Sequence, residues 1–340
     1  MLARLKVDPF VLALVLVIAL AALWPAPGVS GGPLHADVIG SYGIGVVFFL
    51  YGITLAPDQM WRSMGLWREH LLVQVATFLL FPAVVFGAQF VTDELFPQEI
   101  LTGLFFLAAL PSTVSSSVAM TSLARGNVPL SIFNASISSL IGVFVTPVLM
   151  AWYLHTAGET LPLHTVILKL LGLVLVPIAI GQLLRPLLGP WVSRHKAIVR
   201  LADRAVILTI VYNAFCNSVA DGIWQSQDSL TLPLLVVSVI VLFFLVYGIL
   251  SAICRLLGLG VEERISVLFC GSKKSLVTGL PMAGIMFGSG PATALIIAPL
   301  MLFHLFQLLI VSFIASSYAR RPVAAVPGTV TQGDHRAAAE

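Results

Sequence analysis

Charge is scarce in this sequence. Acidic and basic residues together fill 10% of its 340 positions, where an ordinary soluble domain carries about 25%. Hydrophobic residues make up 59%, and mean hydropathy is +1.02. That balance belongs to a chain solvated by lipid. Cysteine is rarer still: Cys216, Cys254 and Cys270 all lie in apolar stretches, where they read as small packing residues and exclude a disulfide framework or a metal-ligand spacing. No dinucleotide glycine fingerprint, P-loop or HExxH occurs, so no cofactor is implied. His155, His164 and His304 form no catalytic or metal grouping, which argues against an enzyme.

What the chain does have is apolar runs. The first, at 7–23, follows Arg4 and Lys6 and closes on Trp24-Pro25; with no small-residue cleavage site behind it, it reads as a membrane helix in preference to a signal peptide. Nine more follow, at about 38–56, 71–91, 100–123, 128–153, 163–184, 205–220, 230–257, 269–287 and 292–316. The run at 38–56 is rich in glycine, which lets helices approach closely where lipid offers no hydrophobic drive. With the amino terminus inside, Lys169, Lys273 and Lys274 are the only basic residues off the inner side, and Asp37, Asp93, Glu94, Glu99, Glu159, Asp221 and Asp228 occupy outer turns. The expected protein is therefore an all-α polytopic membrane protein with ten transmembrane helices, both termini cytoplasmic, in a cell membrane. Ten spans divide into two inverted five-helix repeats, about 7–155 and 163–318, within a membrane domain at 7–320; residues 321–340 read as a disordered cytoplasmic tail.

Two runs are poor continuous helices. The fourth contains ALPSTVSSSVAMTS, where Pro111 removes a backbone donor and Thr113, Ser115, Ser116 and Ser117 offer competing hydrogen bonds. The ninth, FCGSKKSLVTGLPMAGIMF, carries Lys273 and Lys274 between Gly271, Ser272 and Ser275. A cation at membrane depth costs several kcal/mol, so it marks a site unless it snorkels to the interface. Neighbouring helix positions face different ways, so one lysine is expected to line a site and the other to reach an interface or a partner. The fourth and ninth runs correspond in the two halves, the pattern of a secondary transporter whose site forms where broken helices meet. No charge ring or filter suggests a channel. In the fifth run Ser131, Asn134 and Ser138 recur at helical spacing behind Asn127. The candidate substrate or ion residues are thus Ser115, Ser116, Ser117, Asn127, Ser131, Asn134, Ser272, Lys273, Lys274 and Ser275. The basic, tryptophan-bearing stretch at 191–204 reads as a surface helix on anionic membrane lipid, with no nucleic-acid fold beside it.

The stretches ALPSTVSSSVAMTSLA, ARGNVPLS running into SSLIGVFVTP, and FCGSKKSL, with the number of spans, make the chain resemble the bile acid:sodium symporter superfamily over about 7–320. FCGSKKSL resembles the branch of solute carrier family 10 that holds its seventh vertebrate member and bacterial relatives. The resemblance implies a core domain with crossed fourth and ninth helices, a panel of spans one, two, six and seven, and sodium-coupled transport of organic anions. It also implies sodium ligands at Ser117 and Ser131. Departures from the pattern accompany them: Val118 stands where asparagine is expected, Ala135 where threonine is expected with Asn134 beside it, and Phe269 and Cys270 near the glutamate position, with Lys273 in the approximate place of a glutamine. A lysine gained where an acid is lost can replace a bound cation, so sodium is expected to be dispensable, and a lysine that sheds its proton admits a proton-linked cycle. The reading is a secondary transporter of a small organic anion, compatible with a monomer. A membrane regulator that keeps the fold without transporting is the alternative.

Overall fold

The computed structural model describes residues 9–54, 65–156, 168–169, 171–222, 225, 228–288, 290 and 292–321. Arg4, Lys6, Arg62, Glu159, His164 and the tail beyond Arg321 lie outside the described residues, and with them the expectations placed there. Among the described residues every regular element is helical. In chain order these are α1 (Pro9–Leu23), α2 (Ala36–Thr54), α3 (Trp67–Thr92, with a π-helical turn at Ala76–Leu80), α4 (Gln98–Ala109), α5 (Ser115–Leu123) and α6 (Val128–Thr156). Then come α7 (Val176–Arg194, entered through a π turn at Leu171–Leu175), α8 (Lys196–Ala220), α9 (Thr231–Leu256), α10 (Val261–Gly271), α11 (Leu276–Phe287) and α12 (Thr293–Ala319). Six of the described helices are long and apolar enough to cross a membrane: α2, α3, α6, α7 with its entry turn, α9 and α12.

α1, α2, α7 and α8 pack on one another, while α3 to α6 pack with α9, α10 and α12; α8 meets α11 and α12 between the two sets. α2 and α7 pack closely on each other. A Cβ at Gly52 would run into the Ile178 carbonyl, and one at Gly181 into the Phe49 carbonyl. Each glycine therefore receives the other helix's backbone, the use expected of glycine in a membrane. Gln182 closes the seam by donating to the Gly52 carbonyl at 2.6 Å.

The stretch at 191–204 differs from expectation. It is the corner between two long helices, with His195 alone outside regular helical geometry, and not a separate surface helix. Trp191, Ile198 and Leu201 on this corner are exposed.

Candidate functional site

α4 and α5 are one apolar run broken at 110–114, and α10 and α11 are another broken at 272–275. Leu110 turns to an extended conformation, φ −71° and ψ 154°, just ahead of Pro111, because proline disfavours the helical region for the residue before it. A helix that stops inside protein leaves its last carbonyls without partners, and here the two breaks satisfy each other. Of the carbonyls ending α4, Ala108 and Leu110 accept from Lys274 Nζ at 2.6 and 2.8 Å, Ala109 accepts from Thr146 Oγ1 at 2.7 Å, and Pro111 accepts from the Ser275 amide at 2.9 Å. Of those ending α10, Leu268 accepts from Ser272 Oγ at 2.6 Å, Phe269 from Ser117 Oγ at 3.0 Å and Cys270 from Ser112 Oγ at 2.6 Å. Ser138 anchors the crossing from α6 by accepting the Ser112 amide at 3.0 Å.

Both lysines are fully buried, so neither reaches an interface; of the two outcomes expected for the second lysine, an interface or a partner, Lys274 takes the partner. Lys274 directs all three ammonium protons at carbonyls: Thr77 at 2.7 Å besides Ala108 and Leu110. Its Nζ also lies 4.2 Å from the Phe81 ring centroid, a favourable cation–π distance. The ammonium thus sits at the negative end of α4 with its donors saturated. Lys273 has a different setting. Its Nζ donates to Ser116 Oγ at 3.2 Å, Ser116 donates to Thr113 Oγ1 at 2.8 Å, and Thr113 and Ser117 hydroxyls lie 2.8 Å apart. Since Ser117 spends its proton on the Phe269 carbonyl, Thr113 must donate to Ser117, and the chain of hydroxyls points one way from Lys273.

Ser116 borders a cavity of about 1850 Å³ that runs from the breaks, at Thr113, Ser115, Ser275 and Thr278, to the ends of α2, α7 and α12 and the start of α8. Arg185, Arg200, Arg204 and Arg320 line that far end with one acid, Asp203, giving four minus one, or +3, among its described Arg, Lys, Asp and Glu residues. Of the ten sequence candidates, Ser115, Ser116 and Ser275 line the cavity. The other seven are spread through the packing around it. Ser272 is a helix end cap, and Asn127 caps α6, its Oδ1 accepting the Leu130 amide at 3.1 Å. Asn134 donates to the Leu130 carbonyl at 3.0 Å and accepts from Gln74 at 3.3 Å. Ser131 is paired with Thr121 at 2.8 Å. The Cys270 thiol donates to the backbone carbonyl of Ser131 at 3.6 Å, and the hydroxyls of Ser117 and Ser131, the two serines expected to hold sodium, are each engaged with protein groups. The arginines, Thr113 and His304 were not among the site candidates read from sequence; they come from three separate stretches, at 113, 185–204 and 304–320, and no local pattern connects them.

The SBF-like CPA transporter family model matches residues 8–320. The chain belongs to that family. It is 41% identical over 318 residues to the uncharacterized protein PA2026 of Pseudomonas aeruginosa, covering 94% of this chain and 95% of that one. It is 30% identical over 313 residues to the sodium/bile acid cotransporter 7 of Mus musculus, covering 91% and 92%. The similarity to the seventh vertebrate member and to bacterial relatives indicated by FCGSKKSL therefore extends along nearly the whole chain. Its apolar helices make it a multi-pass membrane protein of a transporter family.

Proposed function

We propose that this protein is a secondary transporter of a small organic anion. The observation that carries the reading is the cavity: 1850 Å³, with a +3 balance of arginines over Asp203 at one end (four minus one) and the hydroxyls of the two crossed breaks at the other. Opposed broken helices supply dipoles and backbone groups at mid-membrane, and a field of one sign concentrates an anion there. In this reading Ser115, Ser116 and Ser275 contact the solute, with Lys273 supporting them through Ser116. The other candidates hold the crossing together. The ten spans form two inverted five-helix repeats, about 7–155 and 163–318, with both termini cytoplasmic and the arginine end of the cavity facing inward. Trp191, Ile198 and Leu201 meet anionic lipid at the α7–α8 corner.

Bound sodium is not required. Lys274 places an ammonium among three carbonyl oxygens, and Cys270, whose thiol donates to the Ser131 carbonyl, stands near the position where the sodium-binding pattern has an acid. A second cation near the lysines would be repelled in a low-dielectric interior. The deciding experiment is uptake by the purified full chain in proteoliposomes, screened with organic anions that include bile acids, the solute class in the mouse relative's name. Saturable uptake that persists with choline in place of sodium supports the proposal. Binding without any uptake across the screen favours a regulator, and an absolute sodium requirement refutes the coupling.

A further inference from the structure

A second cavity, of about 510 Å³ and almost wholly apolar, lies between α1, α8 and α12. The direction of the helices fixes its place. On α8, Arg200 and Arg204 border the large cavity, whereas Phe215 and Val219, further along the helix, border the small one. On α12 the small cavity takes Ala298 to Leu302 and the large one Leu308 to Arg320, with His304 and Leu305 bordering both. The small cavity therefore occupies the half of the molecule away from the arginines and meets the large one at the His304–Leu305 wall.

Its walls are continuous with the surface that the helices turn to lipid. Val15 on α1 and Leu232 on α9 both border the cavity and are 49% and 52% exposed, and Ala22 beside them is exposed as well. α1 packs on α8 and α9 on α12, so the space opens sideways between α1 and the first turn of α9, a membrane-crossing helix. Its interior offers little to water. Among the described residues that line it, Gln225 and His304 alone carry polar side chains, one at the turn after α8 and the other at the opposite end, and His304 is already paired with Gln307 at 2.8 Å. A buried water needs two to four polar partners, and an unfilled apolar space forfeits the dispersion contacts of its lining. Length narrows the choice of occupant. The stretch of α1 from Leu14 to Ala22 lies along the cavity and rises about 12 Å, close to the depth of one leaflet's hydrocarbon, about 15 Å.

We infer that the small cavity is a lipid site: one acyl chain of a membrane phospholipid enters between α1 and α9, its ester end near Gln225 and its methyl end against Leu305. Shape and apolar matching hold the chain, since no lysine or arginine stands among the described lining residues to bind a headgroup. The methyl end then forms part of the wall at Leu305, so a lipid closes the solute cavity on the side away from the arginines. The site does not depend on the transport reading above, because it needs only the bilayer.

The test uses the full chain in nanodiscs of phosphatidylethanolamine and phosphatidylglycerol, with a small share of the lipid carrying a photoreactive diazirine at the methyl end of one chain. After illumination the labelled residues are read by peptide mass spectrometry. Met301, buried on α12, and its half-buried neighbour Leu302 should be labelled in addition to the lipid-facing positions Leu16 and Leu20. Two variants fill the space from different sides, Ala298→Phe from its buried wall and Ala22→Phe from its exposed edge. Each should cut the Met301 and Leu302 label about tenfold, the scale on which overpacking excludes a group, and leave the Leu16 and Leu20 label unchanged. Ala22→Phe keeps the test decisive where Ala298→Phe does not fold. Label confined to Leu16 and Leu20 in the parent, or kept at Met301 and Leu302 in Ala22→Phe, overturns the lipid site. Loss of the Met301 and Leu302 label on adding cholate below its micellar concentration overturns it too, by giving the space to the solute. A failed uptake screen refutes the transport reading and leaves this measurement standing.

Discussion

Lys274 Nζ lies 2.8 Å from the carbonyl oxygen of Leu110, 164 positions earlier in the chain. With Thr77 and Ala108, that carbonyl completes three acceptors for three protons. The charge therefore belongs to the architecture. Lys274→Met would leave three buried carbonyls without their donor, at about 1–3 kcal/mol each if none finds another partner. The expected loss is at least ~3 kcal/mol, read by thermal or denaturant unfolding in detergent. Lys273→Met removes one bond to a serine that keeps its contact with Thr113, and should move unfolding by no more than about 1 kcal/mol. Equal losses in the two variants would contradict the assignment of the structural role to Lys274.

Lys273 should instead matter to the solute. Its ammonium polarises Ser116 at the cavity floor, and charge-assisted hydrogen bonds are the stronger kind. Lys273→Gln is expected to weaken anion uptake about tenfold, the value of one such bond, with no change when choline replaces sodium. A Lys273→Gln protein with parental uptake would remove the lysine from the site; sodium dependence in the parent would remove the charge-replacement argument.

The α2–α7 seam gives a test of packing. A methyl group at Gly52 or Gly181 meets backbone, which cannot swing aside as a side chain can. Gly52→Ala and Gly181→Ala should each destabilise by about 1–3 kcal/mol, the usual range for overpacking. The double variant should cost less than their sum, because both push apart the same helix pair and neighbouring sites are not additive. Additive losses would mean that the two glycines act at separate contacts.

Helix interruption was legible because Pro111, the serine cluster and the two lysines are local signals, and the glycines at 38–56 announced close packing. The partners were not legible. That Lys274 would find carbonyls of α3 and α4, or that Thr146 would cap Ala109, depends on how distant segments cross. The stretch at 191–204 misled for a related reason: charge and tryptophan at a membrane edge look the same whether a segment lies on lipid or turns a helix corner. Arg200 and Arg204 became cavity residues only when α8 was placed against α12.

Asp203 stands in the first turns of α8, ahead of the apolar run at 205–220, as the one acid among the charged residues at the cavity's arginine end. Burial pushes its carboxyl up from 3.8 to about 6, with Arg204 beside it opposing the rise. Its charge is present at neutrality and lost as pH falls through about 6, which takes the cavity balance from +3 (four arginines less Asp203) to +4. Anion binding should therefore tighten on acidification through that range. Stability carries the matching sign: a folded-state pKa raised above the unfolded value means the native state holds the proton more firmly, so this residue's contribution declines as pH rises from 3.8 to about 6. Asp203→Asn should bind anion at neutral pH as the parent does in acid, and should flatten both profiles near 6. The measurement is a pH series of anion binding and unfolding at constant ionic strength, with the parent and Asp203→Asn side by side. An unchanged pH midpoint for binding in Asp203→Asn would assign the titration to another group and leave Asp203 without a part in anion entry.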